Sequence, residues 1–467
     1  MATYTLTEKV RSLAILSRLV VFVLQAVSNF LIPDHNADAF VSPPDPHLPH
    51  LWGDTVVEVL FGGMKRWDAQ YFLHIAQYGY THENTLVFFP LFPMLVRGIG
   101  TVLHIPLHFF CNYYSCLILG AIFLNYFLFV KTAVVFFRLS KEVLRHEALA
   151  YKAALLFCIN PASIFFSAPY SEALYSFLVF SALFSSESKN SITLPFQFSF
   201  ASAVRSNGLV NVGFLIHKKL QDCAAYFSRI RNAITESGKL SLIVVIILTF
   251  NYTLIPSVCG MSPSLSPVRT FPTMVYCNEE GTNLSLPPHL ELYLRANFLH
   301  SPDLGEADWC YNFPPVAYSH IQEKYWEVGV FRYYELRQVP NFLLALPVVM
   351  TVICHAALYM VDNSQVCLSL GIPPQIQKGK EKCDTAWCKE GINSWRVFVY
   401  SCHSLFMCLF CVLFIHVQVT TRLLCSSSPV VYWFAAHLLS EPSSRRESES
   451  SAPIKGTPNA KFFERKC

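Results

Sequence analysis

An all-α polytopic membrane protein is the fold class this sequence predicts, on three observations. Of its 467 residues 53% are hydrophobic and only 14% charged, whereas soluble globular chains carry roughly a quarter charged residues. Apolar stretches long enough to cross about 30 Å of hydrocarbon recur along the chain. Aromatic residues make up 15% of it, 39 of them Phe, as suits a lipid-facing surface with Tyr and Trp at its borders. A net charge of +4 over this length argues against a nucleic-acid partner.

The N-terminus is basic, then apolar for about a bilayer thickness, with no small-residue cleavage site. It reads as a first span at 11–32 that also serves as an uncleaved signal anchor. The polar segment 33–85 follows. The stretch 86–105 contains Pro90, Pro93 and Arg97, and reads as re-entrant or interfacial rather than crossing. Further spans are read at 111–137, 153–184, 192–216, 240–260, 340–361 and 396–421, with a shorter candidate at 429–440, about seven or eight in all. A second long polar segment occupies 261–339 and a basic one 362–395. The linker HKKLQDCAAYFSRIRNAITESGK at 217–239 and the stretch from Lys378 to Lys389 are rich in Lys and Arg. That places them in the cytoplasm, and the loops 33–85 and 261–339 on the lumenal side. Asn283 in NLS is a glycosylation sequon in the second loop, while the sequon at Asn251 falls inside a span. Residues 1–440 thus form one membrane domain, and the polar tail 441–467 reads as disordered.

The sixteen Cys fall at no regular spacing. Those inside apolar runs, such as Cys402, Cys408 and Cys411, read as small hydrophobes. No CxxC pair with metal spacing occurs, so no zinc site is read. Cys259, Cys277 and Cys310 lie in or beside the second loop, where a disulfide forms if that loop faces an oxidising lumen.

Arg66 to Pro93 reads RWDAQYFLHIAQYGYTHENTLVFFPLFP. Asp68, Phe72, Ile75 and Gly79 fall on one helical stripe and Trp67, Tyr71, His74 and Tyr78 on the next. Both are largely apolar. An amphipathic helix on the lumenal surface, bent at Gly79, points Asp68 into a cavity at the lipid boundary, where partial desolvation suits a general base. The plainer reading is a helix N-terminal charge or an ion pair with Lys65 or Arg66. Asp34, just after the first span, reaches the same boundary; its plainer reading is a Pro-Asp turn that ends a helix. Within the apolar runs Glu172 and Arg205 are the conspicuous charges. If 153–184 and 192–216 form an antiparallel hairpin the two are level, and they read either as a structural pair or as a phosphate-recognising site. Trp309 to Phe342 interleaves aromatic residues with Glu, Lys and Arg, which suits a sugar or headgroup surface as well as an ordinary aromatic belt. The absence of a P-loop, GxSxG, HExxH or usable GxGxxG disfavours hydrolases, nucleotide-driven pumps and dehydrogenases. No DxD pair of the usual nucleotide-sugar kind appears.

RWDAQYFLHIAQYGY, FFPLFP, ALLFCINPAS, YSEAL, VRSNGLV, YYELRQVPNFLLA and HVQVTTR together resemble the PIG-V family, the second mannosyltransferase of glycosylphosphatidylinositol (GPI) anchor assembly. The matches run from Ile32 to about Leu439; the family continues to a further apolar span where this chain ends in AKFFERKC. The resemblance implies a GT-C-type glycosyltransferase of the endoplasmic reticulum membrane, with an essential acidic residue in its long first lumenal loop. It implies transfer of an α-1,6-linked mannose from dolichyl-phosphate mannose to the mannosylated GPI precursor, with no cofactor beyond that donor and metal dependence left open. A small membrane subunit is a further partner this reading allows. A β-linked donor giving an α-linked product requires inversion, hence a base on the acceptor hydroxyl and positive groups on the departing phosphate. On that reading Asp68 is the base and Asp34 the second choice, Arg205 takes the donor phosphate with Glu172 fixing it, and His74 and Glu83 meet acceptor hydroxyls. The rival is a non-catalytic membrane subunit or lipid scramblase of the same fold; a transporter is disfavoured because no broken-helix inverted repeat is visible.

Overall fold

The structure, a computed structural model, describes residues 5–32, 39–188, 193–227, 276–277, 286–302, 306–311, 317–373 and 387–440. Every regular element among them is helical. Asp34, Asn251, Cys259, Asn283, the span read at 240–260 and the tail 441–467 lie outside the described residues.

Helix α1 (Leu6–Leu31) opens on a capping box, Thr5 and Glu8 each accepting from the other's backbone. Helices α2 (Trp52–Phe61) and α3 (Asp68–Tyr78) follow in the first polar segment, then α4 (Leu91–Leu107) and α5 (Tyr113–Leu144). Helix α4 is tied to the end of α3, Arg97 donating to the Gln77 carbonyl. Its far end returns to α2: the Gly53 N–H donates to the Phe110 carbonyl and the Asn112 N–H to Asp54 Oδ1. That far end lies on the side where α1 finishes, here the upper end, and α4 is an unbroken helix that runs beside the first turns of α5, Gly100 against Leu117 and His104 against Cys116.

Among the described residues four helices are long and apolar enough to cross a membrane: Leu6–Leu31, Tyr113–Leu144, Leu336–Asp362 and Trp395–Phe414. The other described crossings are broken. The run 153–184 becomes α6 (Glu147–Cys158), an irregular segment, and α7 (Glu172–Glu187); 192–216 becomes α8 (Leu194–Val204), a 3-10 turn over Ser206–Asn211, and α9 (Val212–Phe227). These are not two antiparallel spans but two hairpins with their apices at the upper end. At the first apex Tyr170 donates to the Arg66 carbonyl beside α3, while α7 ends far below, Glu187 accepting from Arg396 and Tyr400. At the second apex Ser206 meets Tyr318, while α9 descends to place His217 and Gln221 against the carbonyls of Leu370 and Gly371. Prolines explain the first break: Pro161 and Pro169 each lack the N–H a helix needs and push the preceding residue out of helical geometry. Gly208 explains the second, because a Cβ there would stand 2.5 Å from the Ser202 backbone.

Over the upper end lie α10 (Pro288–Ala296) and α11 (Ala317–Trp326), with a disulfide joining Cys277 and Cys310. Helix α12 (Val339–Asp362) descends, and Tyr359 at its foot donates to the Ser394 carbonyl. Helix α13 (Phe398–Phe414) climbs back to the 331–334 loop. Helices α14 (Val417–Ser427) and α15 (Pro429–Leu438) make one broken descent, so the short candidate at 429–440 is the lower half of a crossing. It ends where Lys152 donates to Ser440. At mid-height Phe129, Phe136, Phe157, Phe166, Phe180 and Tyr432 form a continuous buried aromatic core.

Candidate active site

Four helices present charged residues to one another at the upper end. Asp68 is the first residue of α3 and Glu172 the first of α7; Arg205 caps the end of α8, and Arg422 stands midway along α14. Arg422 Nη1 lies 2.6 Å from Asp68 Oδ2, and its Nε lies 3.6 Å from Glu172 Oε1. Arg205 Nη1 approaches that same Oε1 to 2.5 Å and donates to Ser171 Oγ at 3.3 Å. The result is an alternating chain, Asp68, Arg422, Glu172, Arg205, whose charges balance.

Burial grades along this chain. Glu172 is fully buried, the two arginine side chains are 13% and 14% exposed, and Asp68 is 31% exposed. Neither Glu172 oxygen accepts a well-directed hydrogen bond, so proximity of charge holds it rather than hydrogen-bond geometry. Removing one partner of such a buried pair typically costs about 3–5 kcal/mol. The guanidinium of Arg422 lies 5.4 and 5.7 Å from the ring centres of Phe165 and Tyr170, over their faces.

Local backbone geometry aims Asp68. Trp67, immediately before it, adopts φ 55°, a region a non-glycine residue rarely occupies, and strain of this kind costs about 1–3 kcal/mol. The bond from Tyr170 to the Arg66 carbonyl holds the turn in place. From Ala69 to Ala76 α3 is buried on every face. The expectation of an amphipathic helix on a membrane surface is thus corrected: rings of Phe40, Phe88, Phe92 and Trp326 cover both of its stripes. Asp68 at its N-terminal end is half-buried, as are Gln77 and Tyr78 at the other.

The structure brings together three of the residues singled out from the sequence, Asp68, Glu172 and Arg205. His74 and Glu83 are placed elsewhere, in the cap that parts of the first polar segment form with α10 and α11 over the upper end. His74 is fully buried with Nδ1 bonded to Ser42 Oγ and Nε2 to Thr81 Oγ1, and burial pushes its pKa down to about 3. Glu83 is fully buried under α11, its Oε2 accepting from Tyr325 at 2.9 Å and lying 3.5 Å from Lys324 Nζ. Neither offers a surface to an acceptor hydroxyl, because each has been drawn into the packing between cap segments. Lys65, one suggested partner of Asp68, pairs with Glu58 instead.

Two site residues escape the sequence reading. Arg422 belongs to HVQVTTR but stands one position past the predicted span, where an arginine is unremarkable. Tyr318, on α11, reaches across to Ser206 Oγ at 2.9 Å while 37% of the residue stays exposed. Among the described residues no group of three or more His, Cys, Asp or Glu is placed to hold a metal ion.

Chemically, the cluster sets a partly open carboxylate beside two guanidiniums. Planar forks of N–H donors suit the oxygens of a phosphate, and a carboxylate within reach of the same anion can take a proton from a hydroxyl.

Comparison with known proteins shows the family. The family described as Mannosyltransferase (PIG-V) matches residues 7–459. GPI alpha-1,6-mannosyltransferase 2 of Cricetulus griseus is 40% identical over 96% of this chain and 87% of its own length. The protein of that name from Homo sapiens is 38% identical over the same shares, and GPI mannosyltransferase 2 of Drosophila melanogaster is 32% identical over 92% of this chain and 91% of its own. No solved structure matches. With the family pattern and its relatives spanning nearly the whole chain, the protein belongs to the PIG-V mannosyltransferase family.

Proposed function

We propose that this chain transfers the second mannose of the GPI precursor, in α-1,6 linkage, from dolichyl-phosphate mannose at the lumenal face of the endoplasmic reticulum membrane. The observation that carries the proposal is the Asp68–Arg422–Glu172–Arg205 chain, in which two guanidiniums and an accessible carboxylate meet at one end of a bundle of apolar helices. The names of the relatives supply the acceptor and the linkage.

In this reading the donor phosphate lies against Arg205 and Arg422, with Ser206 and Tyr318 beside them. At rest Arg422 is shared with Asp68. An arriving phosphate draws on the same guanidinium and leaves the carboxylate freer to accept a proton. The acceptor 6-hydroxyl oxygen then bonds to the anomeric carbon as the carbon–oxygen bond to phosphate breaks. The phosphate leaves with the electron pair, its growing charge met by the two arginines, and the hydroxyl proton passes to Asp68. Glu172 touches no substrate; it holds the two guanidiniums, which would otherwise repel each other, at a fixed spacing.

One feature supports a lumenal site. The basic segments begin at the lower end, where Gln221 meets Gly371, as the positive-inside rule requires of a cytoplasmic face. A small membrane subunit enters no step of this reading. The test is purified protein in vesicles with labelled dolichyl-phosphate mannose and a mono-mannosylated GPI acceptor. A dimannosyl product cleaved by an α-1,6-specific mannosidase is expected; no transfer, or another linkage, would refute the proposal.

A further inference from the structure

Arg18 stands near the middle of α1 and is fully buried. A cation at such depth in a membrane helix is costly unless fully engaged. No carboxylate pairs with it among the described residues. Its guanidinium instead donates to the Ser163 carbonyl at 2.7 Å, Ser167 Oγ at 2.9 Å, Ser163 Oγ at 3.0 Å and the Cys158 carbonyl at 3.3 Å. It also lies 3.8 Å from the ring centre of Phe129. Cys158 is the last residue of α6, where carbonyls lose their helical partners and the helix dipole favours a cation. From α5, fully buried Asn125 donates to the carbonyls of Ala168 at 2.5 Å and Tyr170 at 2.9 Å.

Two neighbouring helices thus grip both parts of the irregular segment between α6 and α7. That segment supplies much of the site. It carries Phe165 and Tyr170, which flank Arg422; Ser171, which accepts from Arg205; and it leads directly into Glu172.

We propose that Arg18 and Asn125 are positioning residues of the transfer reaction: by holding the break between α6 and α7 they fix Glu172, and through it the spacing of the guanidiniums that receive the phosphate. Neither touches substrate. The inference rests on reading the charge chain as a phosphate site.

The test compares donor and acceptor KM in purified Arg18→Lys and Asn125→Ala proteins, each alone and combined with Glu172→Gln. Lysine keeps the charge but lacks the planar fork that reaches several acceptors at once; alanine removes both donors of Asn125. Each single variant is expected to raise the donor KM about tenfold with the acceptor KM unchanged, and to add little once Glu172→Gln is present, because interactions along one path are not additive. An unchanged donor KM, an equal rise for both substrates, or losses that multiply fully with Glu172→Gln would overturn the inference. If Arg18→Lys does not accumulate, Asn125→Ala decides alone. Arg205→Met separates the two levels. If it leaves the donor KM unchanged, the phosphate reading falls; if it raises that KM while Arg18→Lys and Asn125→Ala do not, only the positioning role falls.

Discussion

Arg422 lies between two carboxylates, 2.6 Å from Asp68 and 3.6 Å from Glu172, and so links the open part of the site to its buried part. Its planar fork matters as much as its charge, since one guanidinium must serve a carboxylate and a phosphate together. Arg422→Lys is therefore expected to keep the fold but raise the donor KM and lower turnover by about tenfold each, as loss of a charge-assisted hydrogen bond would do. Steady-state kinetics with varied donor checks this, and unaltered constants would remove Arg422 from the site. The sequence makes three members of the charge chain legible, because Asp68, Glu172 and Arg205 each interrupt apolar surroundings. It hides Arg422. Residue 422 directly follows the predicted span 396–421, where a flanking arginine needs no explanation. His74 and Glu83 err in the opposite direction: polar residues in an aromatic run suggest ligand contacts, yet packing between cap segments buries both, with His74 bonded at each nitrogen and Glu83 at one oxygen.

At the scale of elements, the helices that end at the site matter more than those that cross fully. A hydropathy window reads 153–184 as one crossing because composition alone does not reveal where a chain turns back. Pro161 and Pro169 mark the break, but proline also occurs in continuous membrane helices. Glu172 and Arg205 do meet, as the sequence suggests, though at two hairpin apices rather than along two facing spans. The second apex depends on Gly208, and Gly208→Ala would force a methyl to within 2.5 Å of the Ser202 backbone. That variant is expected to displace Arg205 and lower activity at least tenfold with membrane insertion retained, an overpacking strain typically of about 1–3 kcal/mol; activity near the parent's would contradict it. The cap carries its own signature in acid. His74, held neutral with a pKa pushed down to about 3, binds no proton when folded but does so when unfolded, below an ordinary value of about 6.5. Its contribution is therefore fully present above pH 6.5 and lost as pH falls from there toward 3, by roughly 1.4 kcal/mol per pH unit. His82, buried beside it, acts in the same direction. Thermal unfolding of the cap between pH 7 and pH 5 should show this fall, and His74→Gln should lessen its slope by about one proton. An unchanged slope would count against the account of His74.

Across the whole molecule, the depth of the site follows from helix lengths. Helix α8 has 11 residues and α7 has 16, so their upper ends stand about 16 and 24 Å along the helix axis from the lower ends, at 1.5 Å per residue. In a hydrocarbon layer about 30 Å thick this sets the charge chain in the upper part of the bilayer, beneath α11 and the disulfide-linked segment. Such a location suits a reaction between two membrane-anchored substrates, and it makes the more exposed of the two carboxylates, Asp68, the natural proton acceptor. The central claim is that Asp68 is that base. It is tested most directly by the turnover of purified Asp68→Asn protein at saturating dolichyl-phosphate mannose and GPI acceptor. The account expects a loss of about 10²–10⁴-fold, the usual worth of general-base catalysis, in protein that still folds and binds donor; turnover within a few-fold of the parent protein would contradict it.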